Sequence, residues 1–196
     1  MKICQTLWCA HKDLLNDSFG WYSPQHHLIA WAYSSLKLKE LYPSVELFTD
    51  SQGAKVLIDT LDLPYTKCHM AYDDLRCNPC LWAYPKILTY GRQDEPFIHV
   101  DGDIFVWEKF DDSLTNSRLV AQNLEISTNY YANLFRPILK RIKYIPDIFK
   151  DNLFEKFPKF YNAGILGGTD IQSIQIYVDE AIKFVDENYL CHSNGN

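Results

Sequence analysis
The succession of elements along the chain predicts an α/β fold, a mostly parallel sheet with helices on its flanks. Three observations predict it. Short apolar runs alternate with stretches of helical periodicity over the first half of the chain, the order from which parallel sheets are built. The apolar run at residues 96–100 ends directly in Asp101-Gly102-Asp103, and ligands of open α/β sheets sit beyond such strand ends. The 196 residues are 47% hydrophobic and 22% charged, a globular mix that supports one core and excludes a disordered chain.

Each element has a local reason. Residues 2–7 form a first strand, apolar at Ile3 and Leu7, ahead of a polar loop at residues 11–20. Ser23-Pro24 opens a helix, with Ser as N-cap and Pro at the first helical position. Leu28, Trp31, Ala32, Ser35, Leu38 and Tyr42 then recur at three- and four-residue steps as one buried stripe, which Pro43 ends. Residues 45–49 are a second strand leading into Asp50. Ala54, Leu57, Ile58 and Leu61 have the spacing of an amphipathic helix, and Leu63-Pro64-Tyr65 starts the next extended piece. Residues 81–90 are helical, with Pro85 in the first turn or at a kink; residues 104–107 and 119–122 are extended. Residues 130–143 read as a helix bent at Pro137. Residues 160–166 are a strand, Gly167-Gly168 a turn, and a last helix capped by Thr169 or Asp170 runs to about Asn188. With no repeat, low-complexity tract or linker, residues 1–190 read as a single domain and residues 191–196 as a polar tail.

Charge and cysteine content narrow the function classes. Nineteen Lys and Arg stand against 25 Asp and Glu, net −6, so nucleic acid is not an expected partner. The longest apolar stretch, residues 28–33, is far short of the roughly 20 needed to span a bilayer, and no transmembrane segment is expected. The first residues lack the apolar core of a secretory signal, which points to a cytoplasmic protein with its six cysteines reduced. Cys77 and Cys80 have C-x-x-C spacing and, with Cys68 and His69, could make a four-ligand zinc set. Incidental loop thiols are the stronger reading. His26 and His27 are expected at the surface and His99 inside the core.

The sharpest chemical feature is Asp101-Gly102-Asp103. In a fully extended strand its two carboxylates share a face about 7 Å apart. A bend at Gly102 brings both toward one ion. Carboxylate oxygens suit hard cations, Mn²⁺ or Mg²⁺, and such an ion can neutralise a departing diphosphate. Solvated acids at a turn are the competing reading. The second feature is Asn162-Ala163-Gly164-Ile165-Leu166-Gly167-Gly168, whose small residues let a ligand come close to the backbone.

An apolar strand with D-x-D, followed roughly 60 residues later by this N-A-G segment, resembles the nucleotide-sugar domain of glycosyltransferases with the A-type (GT-A) fold. Residues 1–8, 19–21, 47–61, 81–90, 96–107 and 121–125 are closest to an uncharacterised bacterial family of glycosyltransferase-like proteins. The resemblance implies a GT-A-like (Rossmann-like) domain, C-terminally short, whose Asp101 and Asp103 hold Mn²⁺ or Mg²⁺ on the donor diphosphate. It places Asn162, Ala163 and Gly164 beside the donor sugar. By position alone it puts Thr6, Leu7, Trp8, Asp50 and Lys86 at the nucleotide. For Trp8 the competing reading is a core aromatic, and for Lys86 a solvated helix charge.

The implied reaction is transfer of a sugar from a nucleoside diphosphate to a glycan or other acceptor, with a weak lean toward retention. It supplies no catalytic base. The chain ends one helix after the N-A-G segment, where related enzymes continue; His192 is the one conceivable third metal ligand. A non-catalytic or truncated nucleotide-sugar-binding domain is therefore the first alternative. An Asp-nucleophile phosphohydrolase is the second, although there the D-x-D follows the first strand.

Overall fold
The computed structural model describes residues 1–126, 133, 139, 141–153, 155 and 159–188. The strands are β1 (Lys2–Leu7), β2 (Val45–Thr49), β3 (Lys67–Met70), β4 (Phe97–Val100), β5 (Val120–Ile126) and β6 (Lys159–Gly168). The helices are α1 (Pro24–Leu41), α2 (Ser51–Ala54), α3 (Tyr84–Gly91), α4 (Asp112–Thr115), α5 (Asp147–Leu153) and α6 (Ile171–Glu187). One six-stranded sheet has the order β3-β2-β1-β4-β6-β5. Pairs β1–β2, β1–β4 and β2–β3 are parallel, whereas β4–β6 and β5–β6 are antiparallel. The sheet is thus mixed, which corrects the mostly parallel expectation. The chain enters β6 from the opposite end, so this strand needs no crossover helix against β4.

Helix α1 starts as its sequence dictates. Ser23 caps it by accepting from the His26 amide, Pro24 follows, and Tyr42 is the C-cap. The buried stripe is rotated from the expected one: His27, Ala30, Trp31, Ser34, Ser35 and Leu38 face inward, while Leu28 and Ala32 are only half-buried. Hydrogen bonding explains the shift. Ser34 Oγ donates to the Ile104 carbonyl and Ser35 Oγ to that of Ala32, so small hydroxyl residues can pack against the sheet. His27 is buried as well, which corrects its expected surface position.

The predicted helix after β2 opens as α2 and continues as a π-helical turn, Lys55–Thr60. Strand β3 begins at Lys67, later than Leu63-Pro64-Tyr65. The Tyr65 hydroxyl reaches instead across the core to Gln5 Oε1, at 2.8 Å. Gly167 and Gly168 are not a turn but the end of β6, and α6 starts from Asp170, whose carboxylate accepts from the Ser173 amide. Residues 104–107 stay outside the sheet. Most of the helix expected at 130–143, the tail at 191–196 and His192 lie outside the described residues.

Both faces of the sheet are covered. On one, α3 and α6 pack over Cys4, Trp8, Phe48, Tyr90 and Phe97. On the other, α1 and the turn after α2 bury Ile3, Leu7, Leu47, Ile98 and Val100. Cys4, Cys9, Cys68 and Cys80 are free thiols, whereas Cys77 is disulfide-bonded; this removes it from a zinc set and corrects the expectation that all six are reduced. Among the described residues no helix is long and apolar enough to cross a membrane.

Gly167 marks a close backbone approach between β6 and β4. A Cβ there would lie 2.1 Å from the Phe97 carbonyl oxygen. A Cβ on Gly164 would instead meet Gln122 Oε1 at 2.2 Å, the free end of a side chain that can swing away. Urea denaturation should therefore show Gly167→Ala destabilised by about 2–4 kcal/mol and Gly164→Ala by under about 1 kcal/mol. Equal losses would mean that the β4–β6 contact does not limit the sheet.

Candidate active site
Strand β1 has β2 on one side and β4 on the other, so the winding of the sheet changes direction between β1 and β4. A crevice opens at the carboxyl ends of two strands wherever this happens, and that is where open α/β sheets take their ligands. Here the crevice is bordered by Thr6 to Trp8 at the end of β1 and by Asp101 just after β4.

Asp101 is tied from three directions. Its amide donates to the Gly164 carbonyl at 2.8 Å, which fixes it to β6. Its own carbonyl accepts from the Ile104 amide at 3.0 Å, closing the turn that holds Gly102 and Asp103. Its carboxylate receives Lys86 of α3, with Nζ 3.0 Å from Oδ1 and 2.8 Å from Oδ2. The same ammonium donates to the Ala163 carbonyl at 3.1 Å. Lys86 is 12% exposed and the Asp101 side chain 24%, so this pair is largely dry. Burial pushes the Asp101 carboxyl above its ordinary range, Lys86 opposes the shift, and the Asp103 charge adds to it.

Behind the pair runs a buried polar chain. His99 Nδ1 lies 3.6 Å from Asp101 Oδ1 and Nε2 lies 2.9 Å from Thr6 Oγ1. Thr6 Oγ1 meets Thr89 Oγ1 at 2.7 Å, and Thr89 meets the Tyr72 hydroxyl. Burial holds the His99 pKa well below its ordinary value, with Lys86 adding to the effect. The ring is neutral. The nearby carboxylate favours the tautomer with hydrogen on Nδ1, in which Nε2 accepts from the Thr6 hydroxyl.

The remaining candidates divide. Asp103 is exposed at the crevice. Asn162 Oδ1 accepts from the Gly164 amide at 2.9 Å, and its Nδ2 donates to Glu125 Oε1 at 3.3 Å. Lys86, Asp101 and the Ala163–Gly164 backbone therefore come together, and the solvated reading of Lys86 is corrected. Thr6 points into the polar chain. Leu7 and Trp8 are core side chains, 5% and 9% exposed. Asp50 is spent on the backbone: Oδ1 accepts from the Gly53 amide and Oδ2 from the Cys9 amide, both at 2.8 Å. The three side chains are not free for a nucleotide.

The sequence of the chain as a whole is matched by one family, over residues 1–195. The chain belongs to DUF6734, a family of unknown function. No curated protein matches it.

Three residues that sequence reasoning left out also shape this DUF6734 site. Gln5 is fully buried and donates to Ser34 Oγ at 3.0 Å and to the Asp101 carbonyl at 3.4 Å, tying the turn to α1. Trp82 is 71% exposed, with Lys86 Nζ 5.9 Å from its ring centre. Trp31 seats the turn from below, since a Cβ on Gly102 would come 2.4 Å from its indole. The Trp31 Nε1 donates to His27 Nε2 at 2.9 Å. A hollow of about 540 Å³ lies elsewhere, along β2 and β3 from Lys2 to Met70 and Ala71. Lys2 meets Glu95 there at 3.0 Å and His69 meets Glu46 at 2.8 Å, beside Lys67, Arg92 and Asp94. Chemistry rather than volume therefore selects the crevice.

Removing Lys86 leaves a carboxylate with little water and no counter-charge. Lys86→Met should lose about 1–3 kcal/mol at pH 7 in chemical denaturation. The deficit should shrink as pH falls and Asp101 takes a proton, and Asp101→Asn in the same background should recover most of it. A deficit independent of pH would show that Lys86 acts through packing alone.

His27 gives a second pH signature. Burial lowers its pKa to about 4, against smaller upward pulls from Asp17 and Asp103. Below pH 6.5 the unfolded chain binds a proton that the folded chain refuses, so stability is lost as pH falls toward 4, by up to about 3 kcal/mol. His27→Gln keeps an acceptor for Trp31 and should flatten that part of the stability–pH curve. An unchanged slope would assign acid sensitivity to other groups.

Proposed function
We propose that this chain is a GT-A-like glycosyltransferase-like protein that binds a nucleoside diphosphate sugar with a divalent cation and transfers the sugar to an acceptor. The observation that carries the reading is the meeting of Lys86, Asp101 and the Ala163 carbonyl at the β1–β4 switch point. Residues far apart in sequence converge there on the one place where an open α/β sheet takes its ligand.

The donor set fits a hard cation. Asp101 and Asp103 supply oxygens, and Mg²⁺-type sites commonly use one or two carboxylates and draw their other ligands from substrate phosphates and water. Among the described residues no group of three or more His, Cys, Asp or Glu side chains is gathered as for a metal, so the phosphates would complete such a site. When bound, Mn²⁺ or Mg²⁺ supplies Lewis-acid stabilisation of the leaving diphosphate.

The protein's own groups divide the remaining work. Lys86 carries a largely desolvated ammonium that can exchange Asp101 for a phosphate oxygen without leaving the crevice, and it would stabilise charge gathering there. Gln5 donates to the Asp101 carbonyl, and His99 stands behind the carboxylate, 3.6 Å away. The Ala163 carbonyl and the Gly164 amide and carbonyl are already taken by Lys86, Asn162 and Asp101, so a sugar would be held by side chains, and the exposed Trp82 offers a ring face beside Lys86.

Titration calorimetry with a panel of nucleoside diphosphate sugars, with and without Mn²⁺, tests the reading. The Asp101→Asn, Asp103→Asn double variant should stay folded by circular dichroism, at a cost of about 1–3 kcal/mol for the unpaired Lys86, and lose metal-dependent affinity about tenfold or more, worth about 1.4 kcal/mol. Unchanged Mn²⁺-dependent affinity for every donor that binds the parent chain would sink the proposal. Release of free nucleotide from a bound donor with an acceptor present separates a transferase from a binder.

A further inference from the structure
The outward side of α1 and of the turn before it carries exposed apolar residues among the polar Gln25, His26 and Glu40. Tyr22, Ile29 and Leu36 stand in water there, beside Tyr33. At one place this surface sinks into a hollow of about 370 Å³, walled by Trp21, His26, Ile29, Tyr33, Phe105 and Trp107. Its rings are ordered against one another: Tyr33 stands edge-on to Phe105 at 5.3 Å and to Trp107 at 5.7 Å. Trp107 nevertheless remains 71% exposed. Aromatic surface left in water and held in a fixed arrangement marks a binding place.

Chain connectivity keeps the hollow near Asp103. Trp31 seats Gly102 from the inner face of α1, and Tyr33, two residues on, borders the hollow from the outer face. From Asp103 the chain runs through Ile104 into Phe105 and Trp107, a span of no more than about 14 Å even when fully extended. A group held on Trp107 is thus within a few sugar units of Asp103.

We propose that this hollow binds a pyranoside, its C–H face stacked on Trp107 and Phe105, and that it is the acceptor subsite. The acceptor role rests on the nucleotide-sugar reading above; the binding of a pyranoside does not. Size and shape choose the occupant. The volume is that of a small-molecule pocket, which runs from about 300 to 1,000 Å³. The hollow is shallow and open on one side, which leaves an alkyl chain half in water. A pyranose has one apolar face to bury and hydroxyls that stay hydrated. His26 stands at the rim, its Nδ1 2.8 Å from Ser23 Oγ, so the imidazole is oriented where a sugar hydroxyl would pass.

Saturation-transfer NMR with methyl glucoside, galactoside, mannoside and N-acetylglucosaminide tests this on the full chain. At least one should show transfer onto its ring C–H protons, with affinity falling about tenfold or more in Trp107→Ala. Ile29→Glu, which puts a charge on the same wall, should reduce it too. Both positions are exposed, and circular dichroism checks that the variants fold. The proposal fails if no methyl pyranoside binds, or if binding survives both substitutions. It also fails if octyl glucoside contacts the protein only through its alkyl chain, or if sedimentation shows that Trp107 serves self-association. Donor binding by the parent chain is measured separately. A donor that binds where no pyranoside does overturns the hollow alone, and a pyranoside that binds where no donor does overturns the acceptor role.

Discussion
A carboxylate kept largely out of water at the end of a strand has to be answered by a cation and by hydrogen bonds, and Asp101 sets that requirement for the whole crevice. Lys86 answers the charge. It can do so only because α3 packs on the face of the sheet where β4 ends, and because β6 runs alongside close enough to lend the Ala163 carbonyl. His99, Thr6, Thr89 and Tyr72 form the rest of the support, a polar seam through an otherwise apolar layer. The hydroxyls of Thr6, Thr89 and Tyr72 and His99 Nε2 find partners in one another, while His99 Nδ1 has no hydrogen-bond partner. It also joins β1, β4, α3 and the segment after β3, so the geometry at Asp101 depends on the packing of all four.

Much of the fold was readable because its signals are local. Ser23-Pro24 announces α1 and Asp170 caps α6, each through a side chain reaching an amide three residues on. The apolar run at β4 stops at its acids because a buried strand cannot carry them further. The direction of β6 was not readable. Strand pairing is decided by partners more than 30 residues away, and nothing within residues 159–168 says which way they run. The rotation of α1 was missed for a related reason. His26 and His27 are neighbours of one residue type, and only the tertiary partners Phe19, Trp31 and the sheet decide which one is buried.

The site was legible in its acids and partly in its cation. Lys86 was placed only by its position before the D-x-D strand; the burial of Thr89 and Tyr90, three and four residues on, which turns it inward, is seen only in the structure. Asp50, Leu7 and Trp8 were placed by their position at strand ends, and strand ends have structural duties of their own. Asp50 has to cap α2 and hold Cys9, and Leu7 and Trp8 fill opposite faces of the core. Gln5 and His99 carry no pattern in sequence; their roles exist only once the strands are adjacent.

The antiparallel course of β6 places Ala163 and Gly164 in the interior of a strand, not in a loop beyond one. Ladder hydrogen bonds to β4 and β5 hold that strand on both edges. An insertion or deletion there would slip the register and turn every following side chain to the other face. Past the tied turn at residues 101–104, the segments leaving β1 and β4, residues 8–22 and 105–110, have no ladder to keep in register. Over evolutionary time this side of the crevice can be remodelled by changes in loop length, while the β6 side can change only by substitution in place.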